Sequence, residues 1–400
     1  MKFDIFFSIC QTEVDGYMPT EKVMYQNFFD QVKLADDLGF GTAWVAETHL
    51  SCQVQKQNPG AVIPHFKGEI GLNTDILQLA HLVFAQTKNI NIGSAIRNIL
   101  CNGGPMAHAE AVKMFLSLHD LSPHRKRLLE LGFAAGRFPF SNTPYGIKPR
   151  NDLEAAAWPV IRGKIFHQAT EIFLRFLRGD IFASKDIRPI TLKREDFRDE
   201  ASWDKVKNLE VAPFWNFDKV GVIPFETPLD SLRLISGSHD AQAQILANDY
   251  MPVGTFNLSI TPSSEIEATH ERMKKHFHKA GGPWQRSYMP RTVLVFVDGN
   301  GDSADEQNQR AREQGNRVLS NYWKAIEGTL DPKKIENAVD NALSGSPRQI
   351  AKQIRERFHP DDRVMLWFDF NNHDNEAVKN SMRVFMKEVL PQLKDFSGVS

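Results

Sequence analysis

This sequence predicts an α/β fold, a (β/α)8 TIM barrel with an insertion after its fourth strand–helix unit. Three observations lead there. Buried-strand runs and amphipathic helices alternate along the chain, and eight such pairs can be counted. The alternation breaks once, over residues 179–229, and then resumes. The strand-like runs end abruptly in small or polar residues, as parallel strands do where their C-terminal ends carry a site. Such alternation implies right-handed parallel units. A doubly wound open sheet, built from the same units, is the alternative architecture.

Residues 2–10, rich in Phe and Ile, read as the first buried strand. A helix follows over 21–38, where Val23, Phe28, Val32, Ala35 and Leu38 fall near one face. Gly39 supplies its stop, and the run Ala43-Trp-Val-Ala46 is the second strand. A polar loop with Pro and Gly, 51–72, separates that strand from a helix at 75–86. Strands at 90–96 and 128–134 come next, with helices at 107–121 and 153–177 and a candidate break at Pro159. Residues 179–229 are charged and carry Pro189, Pro213, Pro224 and Pro228. They read as an insertion with room for its own hairpin, so the chain 1–400 is one domain. The second half resumes with strands at 232–236, 253–260, 292–297 and 363–368. Its helices fall at 240–248, 264–280, 303–326, 346–358 and 375–390.

Composition narrows the function. A net charge of -1 offers no general attraction to nucleic acid or anionic membranes. Asp4 interrupts the short apolar start, so the pattern of a secretory signal is missing, and no run approaches about 18 apolar residues. Cys10, Cys52 and Cys101 are odd in number and far apart, which suits a reducing cytoplasm and neither a disulfide framework nor a zinc site.

Several motifs fail on inspection. Asp298 to Asp302 has calcium-loop spacing, but Ser303 stands where the loop glycine belongs and Gln309 where its glutamate belongs. Ser238, His239 and Asp240 are triad residue types side by side, without the geometry or a nucleophile elbow. His276 and His278, two apart on a helix, face different sides, so no metal is expected. The absence of a Gly-x-Gly-x-x-Gly turn after a strand disfavours a Rossmann nicotinamide enzyme.

Strand ends carry the positive signals. Glu47, Thr48 and His49 follow the second strand as carboxylate, hydroxyl and imidazole, the makings of a site floor or of an ordinary polar loop. Gly93, Ser94 and Ala95 close the third strand with small residues that would admit a flat ring or tight helix packing. The fourth ends in Ala134 and supplies Arg137; Arg150 precedes the next helix, where an anion is favoured. Ser236-Gly-Ser-His239 adds a fifth strand end of phosphate-binding type, with Gly237 and Ser238. Phe6, Trp44 and Trp367 suit an apolar substrate pocket or barrel core. Small residues, hydroxyls and arginines on one rim suit a phosphorylated planar cofactor.

These residues resemble the bacterial luciferase-like flavin monooxygenases along nearly the whole chain. The stretch Leu38-Gly-Phe-Gly-Thr-Ala-Trp-Val-Ala-Glu-Thr-His-Leu50 is similar to the family segment ending EHHF. Asn91-Ile-Gly-Ser-Ala95 and Leu131-Gly-Phe-Ala-Ala-Gly136 resemble its next two strand ends. His108 with Glu110 to Ser122 resembles the helix that follows, though Ala109 replaces the usual proline. Ser346-Pro-Arg-Gln-Ile350 and residues 382–393 resemble the C-terminal part. The resemblance implies a barrel, often dimeric, that binds reduced flavin at its C-terminal face. It implies that Ala95 and Ile96 flank the isoalloxazine at a cis peptide, that Arg150 is a phosphate arginine, and that Gly237 and Ser238 form the phosphate turn. Two departures stand out: Ala135 replaces a second phosphate arginine, leaving Arg137 as substitute, and Thr48 replaces the first histidine of the pair.

The function expected is thus a flavin-dependent monooxygenase of the cytoplasm. It would use reduced FMN from a separate flavin reductase, and O2, to oxygenate an aldehyde, ketone or similar small organic substrate through a flavin hydroperoxide. His49 is the acid/base candidate, with Thr48 and Glu47 beside it. Loop 51–72 and the insertion are candidate lids. A deazaflavin- or nicotinamide-coupled oxidoreductase on the same fold, a non-catalytic flavin-binding protein, and an unrelated barrel hydrolase are the alternatives. A homodimer is expected, with no nucleic-acid or membrane partner.

Overall fold

The computed structural model describes residues 1–301, 303–325 and 341–396. Ile326, the expected end of one helix, and Asp302 of the rejected calcium loop lie outside them. The first half runs β1 (Lys2–Phe7), β2 (Gln11–Thr12), α1 (Glu21–Leu38), β3 (Thr42–Val45), α2 (Cys52–Gln55), β4 (Gly68–Glu69), α3 (Ile76–Gln86), β5 (Asn91–Asn98), α4 (Gly104–Asp120), β6 (Leu129–Ala134), α5 (Asp152–Leu177) and α6 (Glu200–Asp204). The second half runs β7 (Leu232–Ser236), α7 (Ala241–Asn248), β8 (Val253–Thr255), α8 (Ser263–His276), β9 (Arg291–Val297), α9 (Ala304–Ala325), β10 (Leu343–Gly345), α10 (Pro347–Arg357), β11 (Arg363–Trp367) and α11 (Asn375–Val384).

Nine strands form one parallel sheet in the order β10–β9–β11–β1–β3–β5–β6–β7–β8. The sheet curls. Just past β8, a parallel bridge pairs Asn257 with Arg291 at the start of β9, through Asn257 N–H to Pro290 O at 2.9 Å and Thr292 N–H to Asn257 O at 3.0 Å. Each expected strand is present, and β10 is an extra one whose three residues show too little pattern to read.

Local signals explain most boundaries. Thr20 caps α1 by accepting from Val23 N–H, and Gly39 ends it at φ 86, a left-handed conformation that favours glycine. Helix α4 starts earlier than expected because Pro105, lacking a donor, sits in its first turn. Pro159 does not break α5, which runs unbroken to Leu177. The helix expected over 264–280 stops at His276, and the last one passes into π and 3-10 turns from Phe385 to Leu393.

Alternation along the strands sorts the core into an inner and an outer set. Phe3 and Phe7 of β1 pack outward on Phe385 and Phe28, at 5.4 and 5.2 Å between ring centroids. Asp4 and Phe6 therefore face inward. The lowest inner layer is polar: Arg363 donates to Asp4 (2.6 Å), to Glu130 (2.6 Å) and to Thr42 (2.9 Å). Burial would lower the Arg363 guanidinium, but the two carboxylates outweigh it and hold it high. Above lies an apolar layer of Phe6, Trp44, Ile235, Phe256 and Met365, with Trp367 against it. The C-terminal strand ends lie above this plug.

The 179–229 insertion forms no hairpin among the described residues, only an isolated bridge between Phe182 and Val220 and short helices. It packs on the helical layer: Lys113 of α4 donates to Val222 O at 3.4 Å, and Lys164 of α5 to Thr191 O at 2.8 Å. The surface over the strand ends is built instead by residues 52–70. Cys52, Ile63 and Phe66 are fully buried there against Phe138, Phe140, Tyr322 and Trp323.

Candidate functional site

The end of β3 places its three polar groups in three different roles. Glu47 is buried, and its Oε2 accepts from the Ile76 N–H (3.2 Å) and from the Ser94 hydroxyl (3.4 Å). Its Oε1 accepts from Arg97 at 3.4 Å. A carboxylate this engaged anchors the first turn of α3 and a buried arginine, a positioning role rather than the acid/base one its sequence position suggested. Thr48 is also committed: its hydroxyl donates to Gly71 O at 2.8 Å and its N–H to Asn73 O at 2.9 Å. His49 differs. Its Nε2 lies 3.3 Å from Glu47 Oε1, out of hydrogen-bonding alignment, and is buried without a partner.

Arg97, unforeseen from the sequence, is the centre of this cluster. It is buried at the end of β5 and donates through Nε to His108 Nδ1 (2.8 Å) and through NH1 to Asp75 (3.1 Å). His108 Nε2 meets Cys101 O at 3.0 Å, which leaves the proton on Nε2 and the lone pair on Nδ1. Burial first, and the Arg97 charge second, push this imidazole down to about 3. His108 is thus a neutral acceptor, not a proton carrier near neutral pH.

Just before Arg97, the Ala95–Ile96 peptide is cis. The β5–β6 register shifts between Ser94 and Arg97, and Ala95 and Ile96 lie against the apolar layer below. A side chain at Gly237 would meet Ile96 Cδ1 at 2.4 Å and Ala134 Cβ at 3.2 Å. Ala95, Ile96, Ala134 and Gly237 therefore gather at neighbouring strand ends, a surface of small groups against which a flat ring could lie.

The anticipated phosphate grip is less complete. The Arg150 guanidinium is taken by Glu154 (2.6 Å) and by the carbonyls of Ala212 (2.7 Å) and Pro213 (3.2 Å), and it stacks on Phe214. It ties the insertion to α5. Ser238 Oγ accepts from Asp240 N–H at 3.2 Å, and Asp240 caps α7, so a carboxylate occupies the position an anion would use. Arg137 reaches over the Phe138 ring and engages Tyr322.

Of the three aromatics expected around a substrate, Trp44 is 0% exposed, its indole N–H donating to Asp4 at 2.7 Å. That makes Trp44 plug rather than pocket wall. The Phe6 and Trp367 rings meet tilted at 4.5 Å, Trp367 meets Phe370 edge-on at 4.7 Å, and Phe370 meets Tyr322 edge-on at 4.8 Å. Ser8 and Asp369 sit one step above Phe6 and Trp367; the Asp369 carboxylate accepts from Ser8 N–H (3.1 Å) and Ser8 Oγ (3.2 Å). Nothing in the motifs marked Asp369. Counting alternate residues from Met365 and Trp367 would have. Among the described residues no cluster of three or more His, Cys, Asp or Glu side chains is arranged to hold a metal, and no helix is long and apolar enough to cross a membrane.

Residues 1–158 match the sequence profile of the luciferase-like monooxygenase family. No curated protein matches the chain by sequence. Solved structures match it almost end to end. The monooxygenase RslO1 from Streptomyces bottropensis is 18% identical, with a TM-score of 0.63 over 98% of this chain and 99% of that one. The FMN-bound oxygenating constituent of 3,6-diketocamphane monooxygenase, from the CAM plasmid of Pseudomonas putida, is 16% identical, with a TM-score of 0.57 over 98% of each chain. An F420-dependent secondary alcohol dehydrogenase in complex with an F420-acetone adduct is also 16% identical, with a TM-score of 0.54 over 96% of this chain and 98% of that one. At these identities the likeness establishes the fold.

Proposed function

We propose that the protein, whose first 158 residues match the luciferase-like monooxygenase profile, is a flavin-dependent monooxygenase whose site opens at the C-terminal ends of β1, β3, β5, β6, β7 and β11. The curled sheet is read here as a (β/α)8-type barrel closed by the Asn257–Arg291 bridge. One observation carries the proposal: the small residues Ala95, Ala134 and Gly237 gather at neighbouring strand ends, with the Ile96 side chain between them, beside the buried Glu47–Arg97–His49 cluster. This small-residue surface fits the ring of FMN. The phosphate end fits less well, since Arg150 is engaged and Asp240 caps the helix that would face it.

When bound, reduced FMN with O2 supplies the oxygenating chemistry. The chain's own residues hold and shield. Glu47 and Arg97 fix the loop that carries His49, whose Nε2 lies 3.3 Å from Glu47 Oε1 without a hydrogen bond and would be the group to exchange a proton with a bound ligand. Phe66, Phe138, Phe140 and Trp323 cover the mouth, so water exclusion falls to segment 51–72 rather than to the insertion. A separate reductase and a small organic substrate belong to this reading. A homodimer does too, supported by Leu82, Met114, Leu118 and Leu121, apolar residues exposed along α3, α4 and the end of α4.

The test is anaerobic titration with reduced FMN, followed by admission of oxygen. A transient absorbance distinct from oxidised FMN, with oxygen incorporated into product, supports the proposal. Binding of FMN without turnover across aldehydes and ketones would favour a flavin-binding protein. Preference for a deazaflavin, with hydride transfer and no oxygen uptake, would favour the dehydrogenase reading, for which the likeness to the F420-dependent enzyme is the support.

A further inference from the structure

The layer above the aromatic plug holds a second candidate for proton chemistry. In β1 and β11, residues 4, 6 and 8 and residues 363, 365, 367 and 369 fall on the inward side. Asp4 meets Arg363 there and Phe6 meets Trp367, so Ser8 meets Asp369 in the next layer up. This is the mouth side of the sheet, where parallel strands present catalytic groups. Across β1, Ala46 continues the inward set of β3 after Thr42 and Trp44. One carboxyl thus stands beside Ser8 and Trp367, at the level of the Glu47–His49 strand end.

The surroundings of Asp369 are unusual for a merely structural carboxylate. Ser8 occupies Oδ2 twice, whereas Oδ1 is buried without a partner. The Trp367 indole N–H lies close by, out of hydrogen-bonding alignment, and Trp323 Nε1 is likewise buried and unpaired. Of the titratable groups around it, Cys10 from the same end of β1 feels the Asp369 charge, and Cys52 and Tyr322 of α9 lie beside Cys10. Burial raises all three, and Arg137 beside Tyr322 is the cation among them. Burial also lifts the Asp369 carboxyl to about 6, against the pull of the Ser8 hydrogen bonds. An unpaired acceptor beside the unpaired indole N–H of Trp367, whose ring lies against Phe370, calls for a ligand that is flat and carries both a donor and an acceptor.

We propose that Asp369 is the group that exchanges a proton with the substrate, and that the substrate is a flat, largely apolar molecule presenting an acidic hydroxyl to Oδ1. In the exchange, the substrate O–H bond breaks and its electron pair stays on the substrate oxygen. The proton forms a new O–H bond at Oδ1, and the reverse transfer to the product oxygen restores the carboxylate. The substrate class rests on the oxygenase reading; the proton exchange does not.

Two measurements on the full-length protein test this. The infrared carbonyl stretch of a protonated buried carboxyl should titrate with a midpoint near 6, vanish in Asp369→Asn, and move to higher pH in Ser8→Ala, which loses a hydrogen bond to the charged form. Equilibrium dialysis should show 4-nitrophenol binding about tenfold tighter than its methyl ether, 4-nitroanisole, with the preference lost in Asp369→Asn. If Asp369→Asn misfolds, the Ser8→Ala shift still decides the matter. An unmoved carboxyl band in both variants, or equal binding of phenol and ether by the wild type, overturns the proposal. Failure of the wild type to bind FMN would sink the oxygenase reading alone.

Discussion

Arg97 donates its Nε–H to His108 Nδ1 at 2.8 Å, while its NH1 holds Glu47 and Asp75. A buried arginine is thereby shared between two carboxylates and a neutral imidazole. The ends of β3 and β5 and the starts of α3 and α4 meet in this one cluster. Arg97→Met should leave the buried Glu47 charge without its partner and cost about 3–5 kcal/mol. Urea denaturation at neutral pH would measure it, and a loss below about 1 kcal/mol would show that the Arg97–Glu47 pair does not hold this cluster together.

The His108 imidazole makes this cluster acid-sensitive. Its folded value of about 3 lies below the ordinary 6.5. Between those values the unfolded chain binds the extra proton, so stability from this residue is complete above pH 6.5 and drains away as pH falls toward 3. Asp369, raised from 3.8 to about 6, acts in the opposite sense, its contribution being lost as pH rises through that window. His108→Gln should therefore flatten the fall in urea midpoint between pH 6 and pH 4 relative to wild type. An unchanged slope would assign the acid sensitivity elsewhere.

At the opposite end of the plug, Arg363 holds Asp4 and Glu130. Arg363→Met should destabilise by about 3–5 kcal/mol, because two buried carboxylates lose their counter-charge. The damage should be confined to folding. FMN affinity of the folded fraction should stay within about twofold of wild type, since this layer lies below the aromatic plug, away from the strand ends.

Restoring a family-like histidine at position 48 meets an obstacle. The Thr48 hydroxyl bonds Gly71 O, and a side-chain carbon at Gly71 would already sit 3.1 Å from the Thr48 side chain. Thr48→His should displace residues 71–73 and cost about 1–3 kcal/mol. Thermal melting would report the cost. A variant as stable as wild type would show that the loop after β3 has room that this geometry lacks.

Arg150→Ala discriminates two roles. If Arg150 ties the insertion down, the variant should be cut faster within 179–229 in limited proteolysis while FMN affinity changes by less than about twofold. A large loss of FMN affinity with unchanged proteolysis would restore it as a phosphate ligand.

The sequence by itself determined the parallel α/β alternation, most element boundaries, and the rim where Glu47, His49, Ala95, Ala134 and Gly237 gather. These follow from short-range physics: apolar period, caps such as Thr20 and Asp75, and small residues where strands end. Tertiary structure alone decided what each group does. Glu47 and Thr48 look like reactive neighbours of His49 in the chain, yet partners at Arg97 and Gly71 occupy them. Arg150 looks like an anion ligand until Glu154 and the insertion carbonyls claim it. Alternation along β11 places Asp369 on the inward side, but its role depends on Ser8, 361 positions away, and on burial that the sequence does not show. Polar side chains acquire their chemistry from burial and partners, and both are long-range properties of the fold.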